Sequence, residues 1–151
     1  MLGSALLSAL HLLALALGLP AIFFRVRALR ALASDASAVP RVLAADTAWG
    51  VAALLWLVTG LLRAFGGFEK GTPFYLHNGL FHLKLTVFVL IVLLELFPMV
   101  TFIRWRLVAA RGGVPDTSRL GLLTRLSEVE LALTLALPFV AALMARGIGM
   151  R

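Results

Sequence analysis

The chain has no cysteine and only seven acidic residues among 151. Without thiols it can form no disulfide, no thiolate metal centre and no covalent thioether haem. Charge of either sign is scarce: charged residues make up 14% of the chain and hydrophobic residues 62%, and the mean hydropathy is +1.02. Soluble domains carry about 25% charged residues, so this is the composition of an integral membrane protein. The net charge of +7 would point to nucleic acid in a soluble chain. Here the basic residues sit between apolar runs, where they orient helices and meet lipid headgroups, and no nucleic-acid partner is expected. Residues 1–10 hold no Lys or Arg and so lack the positive n-region of a cleavable signal peptide, and the A-x-A at Ala31 and Ala33 reflects an alanine-rich chain. A phosphate-cradling glycine motif, a nucleophilic triad and an acidic metal cluster are likewise missing from the sequence.

What is present is four apolar runs, approximately 3–24, 42–65, 74–103 and 119–145. A bilayer core takes about 20 apolar residues per helix, so each run is expected to span it. Pro40 and Thr72-Pro73 stand at helix starts, Gly66-Gly67 and Gly112-Gly113 at helix stops, and Asp116 or Thr117 is placed to cap the fourth helix. Links this short predict one all-α domain over residues 1–151, an integral membrane antiparallel four-helix bundle. The link between helices 1 and 2 holds Arg25, Arg27, Arg30 and Arg41, and the link between helices 3 and 4 holds Arg104, Arg106, Arg111 and Arg119. The positive-inside rule therefore puts both links in the cytoplasm and both termini on the non-cytoplasmic side.

Polar residues inside the runs are the candidate functional groups, because an ionisable side chain in hydrocarbon needs a partner or a role. His11 in helix 1 and His82 in helix 3 both lie about 12–14 Å below their outer ends at 1.5 Å rise per residue, a geometry that suits two imidazoles on the two faces of a haem. Helical phase leaves two choices. Either His82 faces the core with Asn78, Thr86 and Val89, or the opposite stripe of His77, Lys84, Phe88 and Glu95 does, with His77 as the competing ligand. Lys84 and Arg63 are candidates to hold an anionic group such as a haem propionate. Glu95, flanked by LIVLL and LF, is a carboxyl in hydrocarbon and suits a proton relay. Glu95 and Lys84 are thus the candidate catalytic residues. Asp46, Arg125, Glu128 and Glu130 fall toward the same inner side and are expected to form compensating ion pairs, Arg125 with Glu128 first. Pro98 and Pro138 should kink helices 3 and 4. The small residues of helix 2, among them Ala48, Gly50, Ala52 and Ala53, permit close approach. Trp49 and Trp56 can stack on a planar ligand, and Trp105 reads as an interfacial belt residue.

At HLLALALGLPAIFFRVR, LAADTAWGVAALLWLVTGLLRAFG and FHLKLTVFVLIVLLELFPMVTFIRWR the chain resembles an uncharacterised bacterial family of small four-helix membrane proteins, domain of unknown function 2214. More distantly, an early His in helix 1, Arg residues after it, a Gly-bearing helix 2 and His-x-Lys in helix 3 resemble the HemJ-type protoporphyrinogen oxidases and CopD-like membrane domains. That resemblance implies haem b in the bundle, with His11 and His82 as iron ligands, Arg25 or Arg27 as the basic residue after the first, and Lys84 beside the second. It also implies a porphyrin or quinone-like electron partner, and a place in the bacterial inner membrane. The chain departs from the HemJ pattern in LLALALGLPAIFF, which has no Trp between His11 and the arginines.

The expected function is therefore haem-based electron transfer or porphyrinogen oxidation, with an ion, proton or metal-handling permease subunit and a non-catalytic membrane adaptor as alternatives. The sequence leaves a homo-oligomer open. Reporter fusions test the sidedness: those at the two termini should read as outside the cytoplasm, and those within 26–40 and 107–117 as inside.

Overall fold

Inside a bilayer every backbone N–H and C=O must be bonded within the protein, so apolar runs of this length fold as helices. A computed structural model describes residues 2–67 and 76–149 and contains α1 Leu2–Leu32, α2 Val39–Phe65, α3 Gly79–Ala110 and α4 Leu120–Ala145, with a 3-10 turn at Ala36–Ala38. All four helices are long and apolar enough to cross a membrane.

Their ends differ from the apolar runs wherever local chemistry outlasts hydropathy. The run of α1 fades near Phe24, yet RVRALRAL carries the helix on to Leu32, because Arg, Ala and Leu are good helix formers. Arg25 and Arg27 therefore lie on a helix and not in a link. At the start of α3, Asn78 is the cap: its side-chain oxygen accepts from the backbone N–H groups of Leu80 and Phe81 at 2.9 and 3.3 Å, so the helix begins at Gly79 and not at residue 74. Thr72-Pro73, expected to start this helix, lies outside the described residues. Neither Asp116 nor Thr117 caps α4, whose N-cap is Arg119 with no side-chain bond; Asp116 instead accepts from Ser118 N–H at 2.9 Å.

The connections are held locally. Asp35 accepts from the hydroxyl and the N–H of Ser37 at 2.6 and 2.9 Å and pairs with Arg41 at 2.8 Å. The Ser37 hydroxyl first, then its N–H and Arg41, hold the Asp35 carboxyl below the usual range. Pro40 sits in the first turn of α2, as expected, and Gly66 N–H closes that helix on Leu62 O at 2.8 Å. Beyond α4 the chain returns to the head of α3: Gly79 N–H donates to Gly149 O at 2.8 Å and Asn78 Nδ2 to Ile148 O at 3.2 Å. Gly149 makes this return at φ +89°, where an added Cβ would stand 2.9 Å from Leu80 Cγ.

Helix α1 packs most extensively on α2 and then on α4, and α4 on α3, whereas α2 and α3 touch only lightly. The bundle is thus closed on three seams and loose on the fourth. Outward faces remain apolar, with Leu54 62% and Phe139 72% exposed, as befits helices surrounded by lipid. Trp105 does not sit in an interfacial belt. It is buried against Phe102 and donates to Asp116 O at 3.0 Å.

Helix α1 approaches α2 closely at Gly18, where a Cβ would lie 3.4 Å from both Ala52 Cβ and Trp49 Cζ3. Gly18→Leu should force these helices apart and destabilise the bundle by about 1–3 kcal/mol, the usual cost of overpacking. Thermal unfolding of the detergent-solubilised protein checks this, and an unchanged midpoint would contradict the packing.

Candidate functional site

One stripe of α1 carries both of its buried ionisable groups. His11 and Arg25 are separated by four helical turns, with Ala14, Gly18 and Ala21 between them on the same buried face. Two polar centres result, one toward each end of the bundle.

The first centre is built on Arg25, which is fully buried. Its Nη1 donates to Asp46 Oδ1 at 3.1 Å and to Glu95 Oε1 at 2.9 Å, and its Nη2 to Glu95 Oε2 at 2.9 Å and to Glu130 Oε2. The guanidinium therefore joins α1 to a carboxylate from each of α2, α3 and α4. Trp49 Nε1 adds a bond to Glu95 Oε2 at 3.1 Å, and the ring of Phe102 lies 5.7 Å from the guanidinium carbon. Arg106 reaches in from α3 and donates to Asp46 Oδ2 at 2.7 Å, to Thr47 Oγ1 at 2.9 Å and to Leu43 O at 3.0 Å. Asp46 stands about 10 Å along α2 from its first residue at 1.5 Å per residue, so the cluster lies inside the apolar layer.

Two guanidiniums face three carboxylates here, which leaves one negative charge in excess when all are ionised. An uncompensated charge among buried groups is costly. The side chains on α4 continue the polar character. Ser127, Glu130 and Thr134 are all fully buried, and the two hydroxyls and Glu130 Oε1 make no hydrogen bond to other described groups. Glu95 is the member that opens outward: its side chain is 21% exposed and lines a cavity of about 110 Å³ with Trp49, Trp56 and Phe88 in the loose α2–α3 seam.

The second centre surrounds His11. Trp56 Nε1–H donates to His11 Nε2 at 2.9 Å. Thr59 Oγ1 lies 2.8 Å from His11 Nδ1 and donates its own proton to Leu55 O at 2.6 Å, so Nδ1 carries the hydrogen and donates. The network thus defines a neutral imidazole with its proton on Nδ1. Gly60 makes room for the ring, since a Cβ there would lie 3.2 Å from His11 Cε1.

The structure brings together some of the expected residues and separates others. His11 and His82 do not face each other: His82 is exposed and its Nε2 donates to Leu76 O at 2.9 Å. His77 is exposed in the turn before α3 and does not take its place. The inward stripe of α3 is that of Lys84, Phe88 and Glu95. A bis-histidine haem does not fit this arrangement, because His11 Nε2 already accepts from Trp56 and His82 points away. Among the described residues no group of three His, Asp or Glu side chains is placed to hold a metal ion. Arg27 is exposed, whereas Arg25 is the hub of the ionic cluster and not a loop cation. Glu95 is not an isolated carboxyl but a bidentate partner of Arg25. Glu128 pairs with Arg30 at 2.7 Å in place of Arg125. Sequence reasoning missed the hydrogen-bonding roles of Trp49, Trp56 and Thr59. The available signal was their spacing, since Asp46, Trp49, Ala52, Trp56 and Thr59 follow one buried stripe of α2.

Arg25→Met should be far more disruptive than loss of any one carboxylate, because it strands Glu95 and Glu130 in the core and leaves Asp46 to Arg106 alone. Breaking a buried ion pair costs about 3–5 kcal/mol, so the variant should lose its fold unless several carboxyls protonate. The added variant Arg25→Met/Glu95→Gln/Glu130→Gln should recover part of the loss. Circular dichroism and gel filtration in detergent read both, and a stable, unaltered Arg25→Met protein would remove the cluster from its central place.

Neither a curated protein nor a solved structure matches the chain. A family model described as a predicted membrane protein, DUF2214, matches residues 3–149. That span takes in all four helices, both polar centres and the returning segment beyond α4; the chain belongs to this family of predicted membrane proteins.

Proposed function

We propose that this multi-pass membrane protein handles protons, and that the Arg25 cluster is its working part. One observation carries the reading: a buried ionic centre drawn from all four helices whose carboxylates outnumber its guanidiniums by one. Such a centre takes up and releases a single proton with little movement, because Asp46, Glu95 and Glu130 share one bridging guanidinium. Two routes support exchange with the surroundings. Arg106, 35% exposed, links Asp46 toward the arginine-rich end, and Glu95 opens onto the α2–α3 cavity. The buried hydroxyls of Ser127 and Thr134 flank Glu130 and supply further groups able to pass a proton along α4. With the arginine-rich end in the cytoplasm, as the charge distribution favours, the cluster lies nearer the inner face of a bacterial plasma membrane.

The competing reading is haem b, with electron transfer or porphyrinogen oxidation. It is favoured by His11 beside a cavity that Lys84 and Arg63 also line. It requires His11 to release Trp56 and a second ligand other than His82. A Soret band in the purified protein would establish it.

Proteoliposomes carrying an entrapped pH dye test the proton reading. Under an imposed potential the protein should admit protons, and Glu95→Gln should slow this by about a hundredfold, the low end of what a positioned proton-transfer group contributes. The amide still accepts from Arg25, so the fold should persist. Flux no greater than in empty liposomes, or an undiminished rate in Glu95→Gln, would sink the proposal, and loss of the fold in that variant would make the cluster a structural clasp.

A further inference from the structure

A second cavity lies away from the ionic cluster, between the ends of α2 and α4 and the start of α3. It measures about 370 Å³ and reaches from Arg63 and Lys84 down to His11 and Trp56. That volume falls within the range of sites for small organic ligands, about 300–1,000 Å³. It exists because small side chains line two of its walls: Gly60 and Ala64 on α2, and Ala141 and Ala142 on α4. Pro138 also lines it, on the α4 wall.

Two features define what would enter. The first is the sign of its charge. Arg63 and Lys84 line the cavity with His11, and none of the described lining residues is acidic. Both cations have contacts of their own in the protein, and both bring several N–H donors to the cavity wall. The second feature is its side opening. A smaller space of about 70 Å³ shares His11, Gly60 and Lys84 with the main cavity and continues it between Leu57 and Leu61 of α2 and Leu85 of α3. Those leucines are 37%, 46% and 42% exposed on the outer surface, so this is a lateral window in the loose α2–α3 seam that faces hydrocarbon. Arg63 stands two residues from the end of α2, and Lys84 five residues, or about 7.5 Å at 1.5 Å per residue, into α3. Side chains of this length can raise their charge toward the headgroups, while the leucines beside them present the window to acyl chains.

We infer that this cavity is a headgroup site for an amphiphile with one carboxylate or phosphate head and a linear apolar tail, which enters sideways from the bilayer through the α2–α3 window. The head lies between Arg63 and Lys84 and accepts charge-assisted hydrogen bonds from them. The tail passes out past Leu57, Leu61 and Leu85, where it keeps its contact with lipid. A head without a tail gains only the bonds from the cations, and a tail without a charged head gains only the apolar window. The site is independent of the proton-handling cluster, and its occupancy is read without any transport assay.

The test uses the full-length protein in phosphatidylcholine nanodiscs with two photoreactive probes, palmitic acid and phosphatidylglycerol, each bearing a diazirine in its tail. Labelling by at least one should saturate and map to residues 57–64 and 81–88. Unlabelled parent compound should displace it, and the same concentration of inorganic phosphate should not. Saturation by palmitic acid alone identifies a free fatty-acid-like ligand, and by phosphatidylglycerol alone a phospholipid. Lys84→Met/Arg63→Gln should reduce saturable labelling about tenfold or more, as expected for loss of two charge-assisted contacts. Ala141→Phe, which fills the cavity and keeps both charges, should reduce it equally. Labelling that does not saturate, that spreads over all four helices, or that survives both variants overturns the inference. Displacement by inorganic phosphate as effective as by palmitate also overturns it, because the tail would then contribute nothing.

Discussion

Arg25 donates to a carboxylate on each of the other three helices, and the arrangement of the bundle depends on that convergence. Hydrophobic burial does not hold transmembrane helices against one another, because lipid is as apolar as their side chains. Packing of small residues and polar contacts must supply the specificity. Here Gly18 against Ala52 sets the spacing of α1 and α2, and the guanidinium sets the level and facing of all four helices at once. A helix rotated by half a turn would bury a carboxylate without its partner.

The same constraint explains why the fourth seam is loose. Glu95 and Trp49 already join α3 to α2 through the cluster, so the two helices meet there without close packing along the rest of their length. The spaces that result lie on either side of Trp56. This indole lines both the cavity beside Glu95 and the one beside His11, and its N–H fixes the imidazole in one tautomer. The two polar centres are thus separate in chemistry but share a wall.

Much of this was legible in the sequence. Four spans, their order and their membrane setting follow from hydropathy and breakers alone, and the family match over residues 3–149 agrees with them. Asp46, Glu95 and Glu130 were placed toward the same inner side, together with Arg125 and Glu128, and the stripe containing Lys84 and Glu95 was one of two faces allowed for α3. Arg25 was not legible as a core residue, because its neighbours Arg27 and Arg30 make the segment read as a basic link. Only the extension of α1 to Leu32 puts Arg25 on the His11 stripe while Arg27 and Arg30 remain exposed. His82 misled for a related reason. Depth depends on where a helix starts, and rotation is not readable from residue number: α3 begins at Gly79, so His82 stands three residues into it against nine for His11 in α1, and its side chain is exposed. The indole bonds of Trp49 and Trp56 were hidden because an aromatic ring in an apolar run reads as a surface for stacking on a planar ligand, not as an N–H donor to Glu95 or His11.

The distribution of the cluster among the helices also makes the two hairpins unequal. The first hairpin, α1 with α2, brings its own balance, Arg25 against Asp46. The second, α3 with α4, carries Glu95 and Glu130 against Arg106, and in the finished bundle Arg106 pairs with Asp46 of the first hairpin. The first pair of helices therefore holds its buried ion pair within itself, whereas Glu95 and Glu130 of the second pair are bonded to Arg25 of the first. The ionic dependence is directional as a consequence: the amino-terminal hairpin supplies the cation that the carboxy-terminal hairpin's buried carboxyls need, and the second hairpin alone would leave Glu95 and Glu130 without Arg25.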